Sequence, residues 1–269
     1  MNKKKTLAPS TIDASADAAS AVSPPRIADP ALAYARMAFP LPLGDTYWYR
    51  NNSEKPARTG GRAEAPFGNR SLVGFVVETA EACPIDPALV KVIRRAIDTE
   101  AVFSAATVSL AEWVASMYFC SVGEALGAML PTGRKEIAQI SAEIEDFQIG
   151  DKALPLTAEQ AIALEGILKS QAGTTYLYGP TGTGKTEVFL QAAERTLAAG
   201  RSVIYLVPEI ALTGQVIRSA RQRFGDTCAV IHSRLTPSQK LSEWRRILNG
   251  EARMVIGARS AIFAPAENL

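Results

Sequence analysis

The spacing of apolar residues divides this 269-residue chain into stretches of different character. Residues 1–25 are rich in Ala, Ser and Pro and lack large apolar groups, so burial cannot offset the entropy of ordering them. A disordered tail over 1–26 is the expectation. Apolar and aromatic runs then predict strands at Ala31–Phe39, Asp45–Tyr49 and Leu72–Val77, with a turn at Pro66-Phe67-Gly68. Helical spacing follows at 87–97, 110–117 and 123–130, and the polar stretch 132–152 reads as a short helix or linker.

From Leu156 the pattern changes again. Thr157 and Gln160 form a T-x-x-Q capping box, and Ala161, Leu164 and Leu168 give the helix behind it one apolar face. Short apolar runs near 175, 204, 229 and 255 alternate with helical segments, which predicts a parallel sheet built of right-handed crossovers. Thr174–Tyr178 and Ser202–Val207 have the β-branched and aromatic composition of buried strands. The helix expected over Glu209–Phe224 follows the second of these. A further helix opens at Thr236-Pro237-Ser238-Gln239, with proline at its first position and a second capping box, and it ends at Gly250.

Between the first of these strands and its helix lies Gly179-Pro180-Thr181-Gly182-Thr183-Gly184-Lys185-Thr186, a full match to G-x-x-x-x-G-K-[ST]. A triphosphate requires backbone N–H groups turned inward at close range, where a Cβ would obstruct, hence the glycines. The helix N-terminus adds a favourable dipole. Lys185 is expected to reach the β- and γ-phosphates, and the Thr186 hydroxyl to ligate Mg²⁺. The chain is therefore expected to bind ATP with Mg²⁺ through 179–186.

Composition narrows the alternatives. Hydrophobic residues at 47% and charged residues at 21% belong to the soluble globular class, and a net charge of +2 argues against a wholly basic nucleic-acid coat protein. The Arg50–Arg70 segment is locally basic, with five positive and two negative side chains. The three cysteines lack a C-x-x-C spacing, which excludes a four-cysteine zinc site within this chain and points to a reducing, cytoplasmic setting. No run approaches a membrane span, so no membrane association is expected, and MNKKK is not followed by the apolar core of a signal peptide. One histidine, His232, makes neither a metal site nor a triad.

Beyond the phosphate loop the segments resemble one helicase family. Val207-Pro-Glu-Ile-Ala-Leu-Thr-Gly-Gln215, Ile231-His-Ser233 and Ile256-Gly-Ala-Arg-Ser-Ala-Ile-Phe-Ala-Pro265 are similar to motifs of the PriA replication-restart helicases. Gly179–Val188 resembles their phosphate loop and Leu156–Gln160 their LNxEQ segment. Upstream, Pro40–Leu43, Pro66–Gly68 and Leu72–Val76 resemble the family's N-terminal DNA-binding domain, and Tyr118–Pro131 the segment before its winged helix. The resemblance implies an α/β chain, with an N-terminal β-rich DNA-binding module followed by a partial RecA-like P-loop parallel sheet with flanking helices. The expected domains are a β-rich module at 27–105, a helical linker with a reduced winged-helix region at 106–153, and the first RecA-like lobe at 154–269. Three departures are visible. Trp48-Tyr49 stands where the family has an Asp-Tyr pair that helps grip a DNA 3′ end. The winged helix is shortened, and the chain stops before the family's DEEH motif, which leads us to expect no unwinding by this polypeptide alone.

The implied activity is that of an ATP-dependent 3′-to-5′ DNA helicase in replication restart and primosome assembly at stalled forks. The implied partners are branched and single-stranded DNA, primosome proteins and single-stranded DNA-binding protein, with the helicase acting as a monomer. Zinc belongs to the full-length family, with no site expected in this chain. Trp48, Tyr49 and Lys91 are candidate DNA contacts in the β-rich module, although aromatic residues in a small β-module are more often core. Glu209, Thr213 and Gln215, at a helix start, suit phosphate-backbone contacts or ordinary capping. Arg259 and Ser260, after a strand end, are candidates for single-stranded DNA. Gln160 either contacts adenine or closes its capping box. The competing readings are an ATP- and DNA-binding fragment without motor activity, and another P-loop enzyme such as a nucleotide kinase. Nothing in 200–269 suggests a kinase's lid arginines.

Overall fold

In the computed structural model, residues 33–44, 46–51, 55–133, 154–170, 173–208 and 214–269 are described. The expected tail, most of the 132–152 linker and the candidates Glu209 and Thr213 fall outside them.

The first sheet is antiparallel and has the order β2-β1-β4-β3-β5. Its strands are β1 (Tyr34–Ala38), β2 (Tyr47–Arg50), β3 (Arg62–Phe67), β4 (Arg70–Ala80) and β5 (Arg95–Ala96). The β3–β4 hairpin closes over Gly68 and Asn69, pairing Phe67 with Arg70. Gly68 takes φ +56°, the left-handed region that two-residue hairpin turns demand. The turn thus lies just beyond Pro66-Phe67, and those two residues belong to β3. Alternation sends Ala35, Met37, Tyr49, Ala63, Ala65 and Val76 to one buried face with Ile93.

The helix expected over 87–97 does not form. Val90-Lys91-Val92-Ile93 instead lies against the sheet: Arg50 N donates to Lys91 O, Ile93 N to Arg50 O, and Arg94 N to Glu64 O. Its β-branched residues and the open strand edges favour extended pairing over helix.

Two capped helices follow. α1 (Ala105–Tyr118) starts at Ser104 and α2 (Val122–Met129) at Ser121, each with a capping box. They cover the other face of β4, where Phe75, Phe103, Ala111, Leu126 and Met129 share a core with Leu241 and Trp244. Those last two residues sit on α6 (Pro237–Leu248), in the second half of the chain.

The second half holds α3 (Ala158–Lys169), α4 (Lys185–Ala198), β6 (Val203–Leu206), α5 (Gly214–Phe224), β7 (Cys228–Ile231), α6 and β8 (Met254–Gly257). The three strands are parallel, in the order β6-β8-β7. Cys228, Val230, Met254 and Ile256 pack against α4 and α5, while Ala229, Ile231 and Val255 pack with Ile247 and Ala261 on the opposite face. Both faces of β7 and β8 are therefore buried, the arrangement of an α/β layer. β6 lies at an edge and is only half-buried, with Leu206 46% exposed, so its expected full burial is corrected.

The run Thr174–Tyr178 is also corrected. It is not a strand, and Tyr176 and Tyr178 stand 84% and 82% exposed. Composition supplied the propensity, but no described strand pairs with this run, and an extended segment without a ladder is not a strand.

Candidate functional site

The phosphate loop is built by its neighbours as much as by its own glycines. Gly182 and Gly184 take φ values of +87° and +75°, in the left-handed region. Gly184 is the N-cap of α4, with no side chain to satisfy the first N–H groups of the helix. Those free donors and the dipole end are what an anion can use. A Cβ on Gly184 would lie 2.5 Å from Gln160 Nε2, and one on Gly179 would lie 2.9 Å from Thr183 Oγ1, so a side chain at either position would displace a group that braces the loop.

Lys185 folds back over the loop, its ammonium donating to the carbonyls of Gly179 at 2.5 Å and Pro180 at 2.7 Å. Thr183 Oγ1 closes the same turn by donating to Pro180 O. The lysine is thus held above the loop, where it can exchange carbonyls for phosphate oxygens. Thr186, the next residue of α4, bonds through its side chain with Tyr205 of β6; burial raises the Tyr205 pKa and this bond lowers it, with a net rise.

Gln160 performs two tasks at once. Its Oε1 accepts from Thr157 N, closing the capping box of α3, and its Nε2 donates to Thr183 O at 2.8 Å. The capping alternative therefore holds, and the same amide grips the phosphate loop.

Glu187, in the first turn of α4, is a residue whose role the sequence did not reveal. Its carboxylate accepts from Arg223 Nη1 at 2.7 Å and Nη2 at 3.0 Å, and from Gln191 Nε2 at 2.7 Å. Burial works to raise its pKa, but these bonds and the Arg223 charge outweigh it, and the carboxyl lies below its ordinary value. Arg223 also pairs with Glu194, and its own pKa is raised, first by that bond. The motif placed Glu187 beside Thr186, yet no local spacing signals a partner 36 residues away.

The DNA candidates scatter. Arg259 and Ser260 are exposed on a 3-10 turn directly after β8 (Arg259–Phe263). Lys91 is exposed, with its backbone joined to Arg50. Trp48 is half-buried and paired in register with Arg36. Tyr49 is corrected: only 4% exposed, it packs at 5.9 Å from Phe39 and donates its hydroxyl to Pro66 O, so its ring is unavailable to a base. Gln215 falls in the first turn of α5. Among the described residues no group of three or more His, Cys, Asp or Glu is placed to hold a metal ion. No single described helix is long and apolar enough to cross a membrane.

A G-x-x-x-x-G-K-[ST] loop opening a helix beside a parallel sheet defines the P-loop class of proteins. Two family models match in that order: the PriA 3′ DNA-binding domain over residues 36–131, and the DEAD/DEAH box helicase over 157–268. The chain is 44% identical over 241 residues to the replication restart protein PriA of Treponema pallidum, covering 87% of this chain and 36% of that protein. It is 50% identical over 120 residues to PriA of Bacillus subtilis (43% of this chain, 15% of that one). Against PriA of Rickettsia conorii it is 31% identical over 214 residues (78% and 32%). The chain belongs to the PriA family of replication restart proteins, and it spans about a third of the length of the Treponema relative. Helicases of this family use ATP with Mg²⁺, and the 3′ DNA-binding domain binds DNA.

Proposed function

We propose that this chain binds Mg·ATP at Gly179–Thr186 and DNA through its β-rich module, as the nucleotide- and DNA-binding portion of a 3′-to-5′ restart helicase. The observation that carries the reading is the loop itself: two left-handed glycines, an N-cap without a side chain, and a lysine held over two carbonyls. Those donors suit a phosphate chain, and the Thr186 hydroxyl, next to Lys185 at the start of α4, suits Mg²⁺. ATP supplies the phosphoryl group whose transfer drives movement. Lys185 neutralises charge on it, the α4 N–H groups orient it, and Gln160 keeps the Thr183 carbonyl turned away from the anion.

In this reading residues 27–105 form the DNA-binding module, 106–153 the connection, and 154–269 the first RecA-like lobe. The exposed Arg259 and Ser260 contact single-stranded DNA, and Glu209, Thr213 and Gln215 contact its phosphate backbone. Lys91, Trp48 and the basic Arg50–Arg70 segment meet the forked end. Replication forks are the substrate, with primosome proteins and single-stranded DNA-binding protein as partners. The test is binding of a fluorescent ATP analogue and a labelled fork by one preparation. Both ligands bound supports the reading; a chain that binds the fork and ignores the nucleotide overturns it.

A further inference from the structure

We propose that Glu187, clamped by Arg223, is a positioning residue that seats the first turn of α4, and with it Lys185 and Thr186, for the nucleotide. The inference rests on the nucleotide reading above and deepens it.

The argument starts from what an ion pair in this place does. The Arg223 side chain is 7% exposed and that of Glu187 is 14% exposed. Replacing such a pair by well-packed apolar groups is commonly neutral for stability, so stability alone is a poor reason for it. Its placement is more informative. Glu187 directly follows Thr186, and its backbone N–H bonds to Gly184 O, so the carboxylate and the loop share one helical turn. The fork of Arg223 fixes that carboxylate by two bonds, which sets direction as well as distance.

Glu187 is also joined to the segment that carries Gln160. Gln191 Nε2 donates both to Glu187 and to Leu154 O, and the Glu187 carboxylate accepts from the Leu154 backbone. Leu154 stands just before the capping box in which Gln160 closes on Thr157 and reaches Thr183 O. The phosphate loop is thus held on both sides: at Thr183 by Gln160, and at the Lys185–Glu187 turn through Leu154 and, from α5, Arg223.

Glu194 provides the internal comparison. It takes the other side of the same guanidinium, at 2.6 Å and 3.0 Å, and lies two turns further along α4, away from the loop. A clamp that only fastens α5 to α4 would make the two carboxylates equivalent. A clamp that seats the loop would not.

The experiment compares Glu187→Gln, Glu194→Gln and Arg223→Lys in the full chain, reading melting temperature and affinity for a fluorescent ATP analogue with and without Mg²⁺. Glu187→Gln, the more buried of the two, should lose the more melting temperature, so affinity is compared at a temperature where every variant is folded. Glu187→Gln should weaken Mg²⁺-dependent binding about tenfold, the lower end of what loss of supporting bonds behind a metal ligand costs. Glu194→Gln should stay within about twofold of the parent. Arg223→Lys, which keeps the charge and loses the fork, should follow Glu187→Gln, and it decides the matter if that variant fails to fold. Equal losses from the two glutamate variants, or none from Glu187→Gln or Arg223→Lys, would overturn the inference. A parent chain that binds no analogue would instead overturn the nucleotide reading itself.

Discussion

The indole N–H of Trp244 donates to the carbonyl of Val102 at 2.7 Å, joining residues 142 positions apart. Trp244 sits on α6 beside the parallel sheet, and Val102 precedes α1 beside the antiparallel one, so this bond crosses from one half of the described chain to the other. Around it, the buried Arg62 guanidinium is held by both carboxylate oxygens of Asp98 and donates to Pro131 O. Arg245, next to Trp244, approaches the same Asp98 at 3.7 Å. The two sheets share one apolar cluster through Leu241 and Trp244.

The first prediction follows from that junction. Trp244→Phe keeps most of the ring and strands a buried carbonyl, so it should destabilise the chain by about 1–3 kcal/mol. Trp244→Ala should cost about 3–5 kcal/mol by opening the shared core. Urea denaturation is the measurement, and residues 33–269 should unfold in a single transition. Two separated transitions in the parent chain would show that the junction does not couple the halves.

A second prediction concerns acid. The folded Glu187 carboxyl lies below its ordinary value of 4.5. A depressed folded pKa means that the unfolded chain binds the proton more readily. The stabilisation is therefore complete above that ordinary value and is lost as pH falls through it towards the lower folded value. Melting temperature followed from about pH 6 to about pH 3 should fall less steeply in Glu187→Gln than in the parent. Parallel curves would mean that the Arg223 pair does not favour the ionised carboxylate.

The third prediction concerns DNA. If the β-rich module meets a fork through Lys91 and the basic Arg50–Arg70 segment, affinity should fall log-linearly with salt as counterions are released. If Trp48 stands in place of an aspartate that grips a 3′ end, as the resemblance implies, a free 3′ hydroxyl should confer little advantage. Competition between oligonucleotides ending in a 3′ hydroxyl or a 3′ phosphate measures this. A strong preference for the hydroxyl would show that another residue performs the aspartate's part.

Local signals were the legible ones. The capping boxes at Thr157 and Thr236 and the glycine loop at 179–186 form where their residue types place them, because each is satisfied within a few positions. Strands β7 and β8, buried on both faces, are continuous apolar runs and could be read directly. What depended on distant partners was not legible. Arg62-Ala-Glu-Ala-Pro-Phe67 is weak in β propensity, yet becomes β3 because it pairs with β4 along its whole length. Residues 90–97 carry helical spacing but are drawn extended by Arg50, Arg62 and Glu64. Thr174–Tyr178 has the composition of a strand and finds no ladder. At the site, Lys185 and the glycines were evident from spacing alone, whereas the Glu187–Arg223 clamp joins two helices and left no trace in either.

The central claim is that Gly179–Thr186 holds a nucleoside triphosphate, and calorimetric titration of Mg·ATP into the parent chain and Lys185→Ala tests it most directly. Lys185 should contribute charge-assisted bonds worth about 1.5–3 kcal/mol, so the variant should bind about tenfold to a hundredfold more weakly while keeping its melting temperature. Equal affinity in the two proteins, or no binding to the parent, would contradict the account.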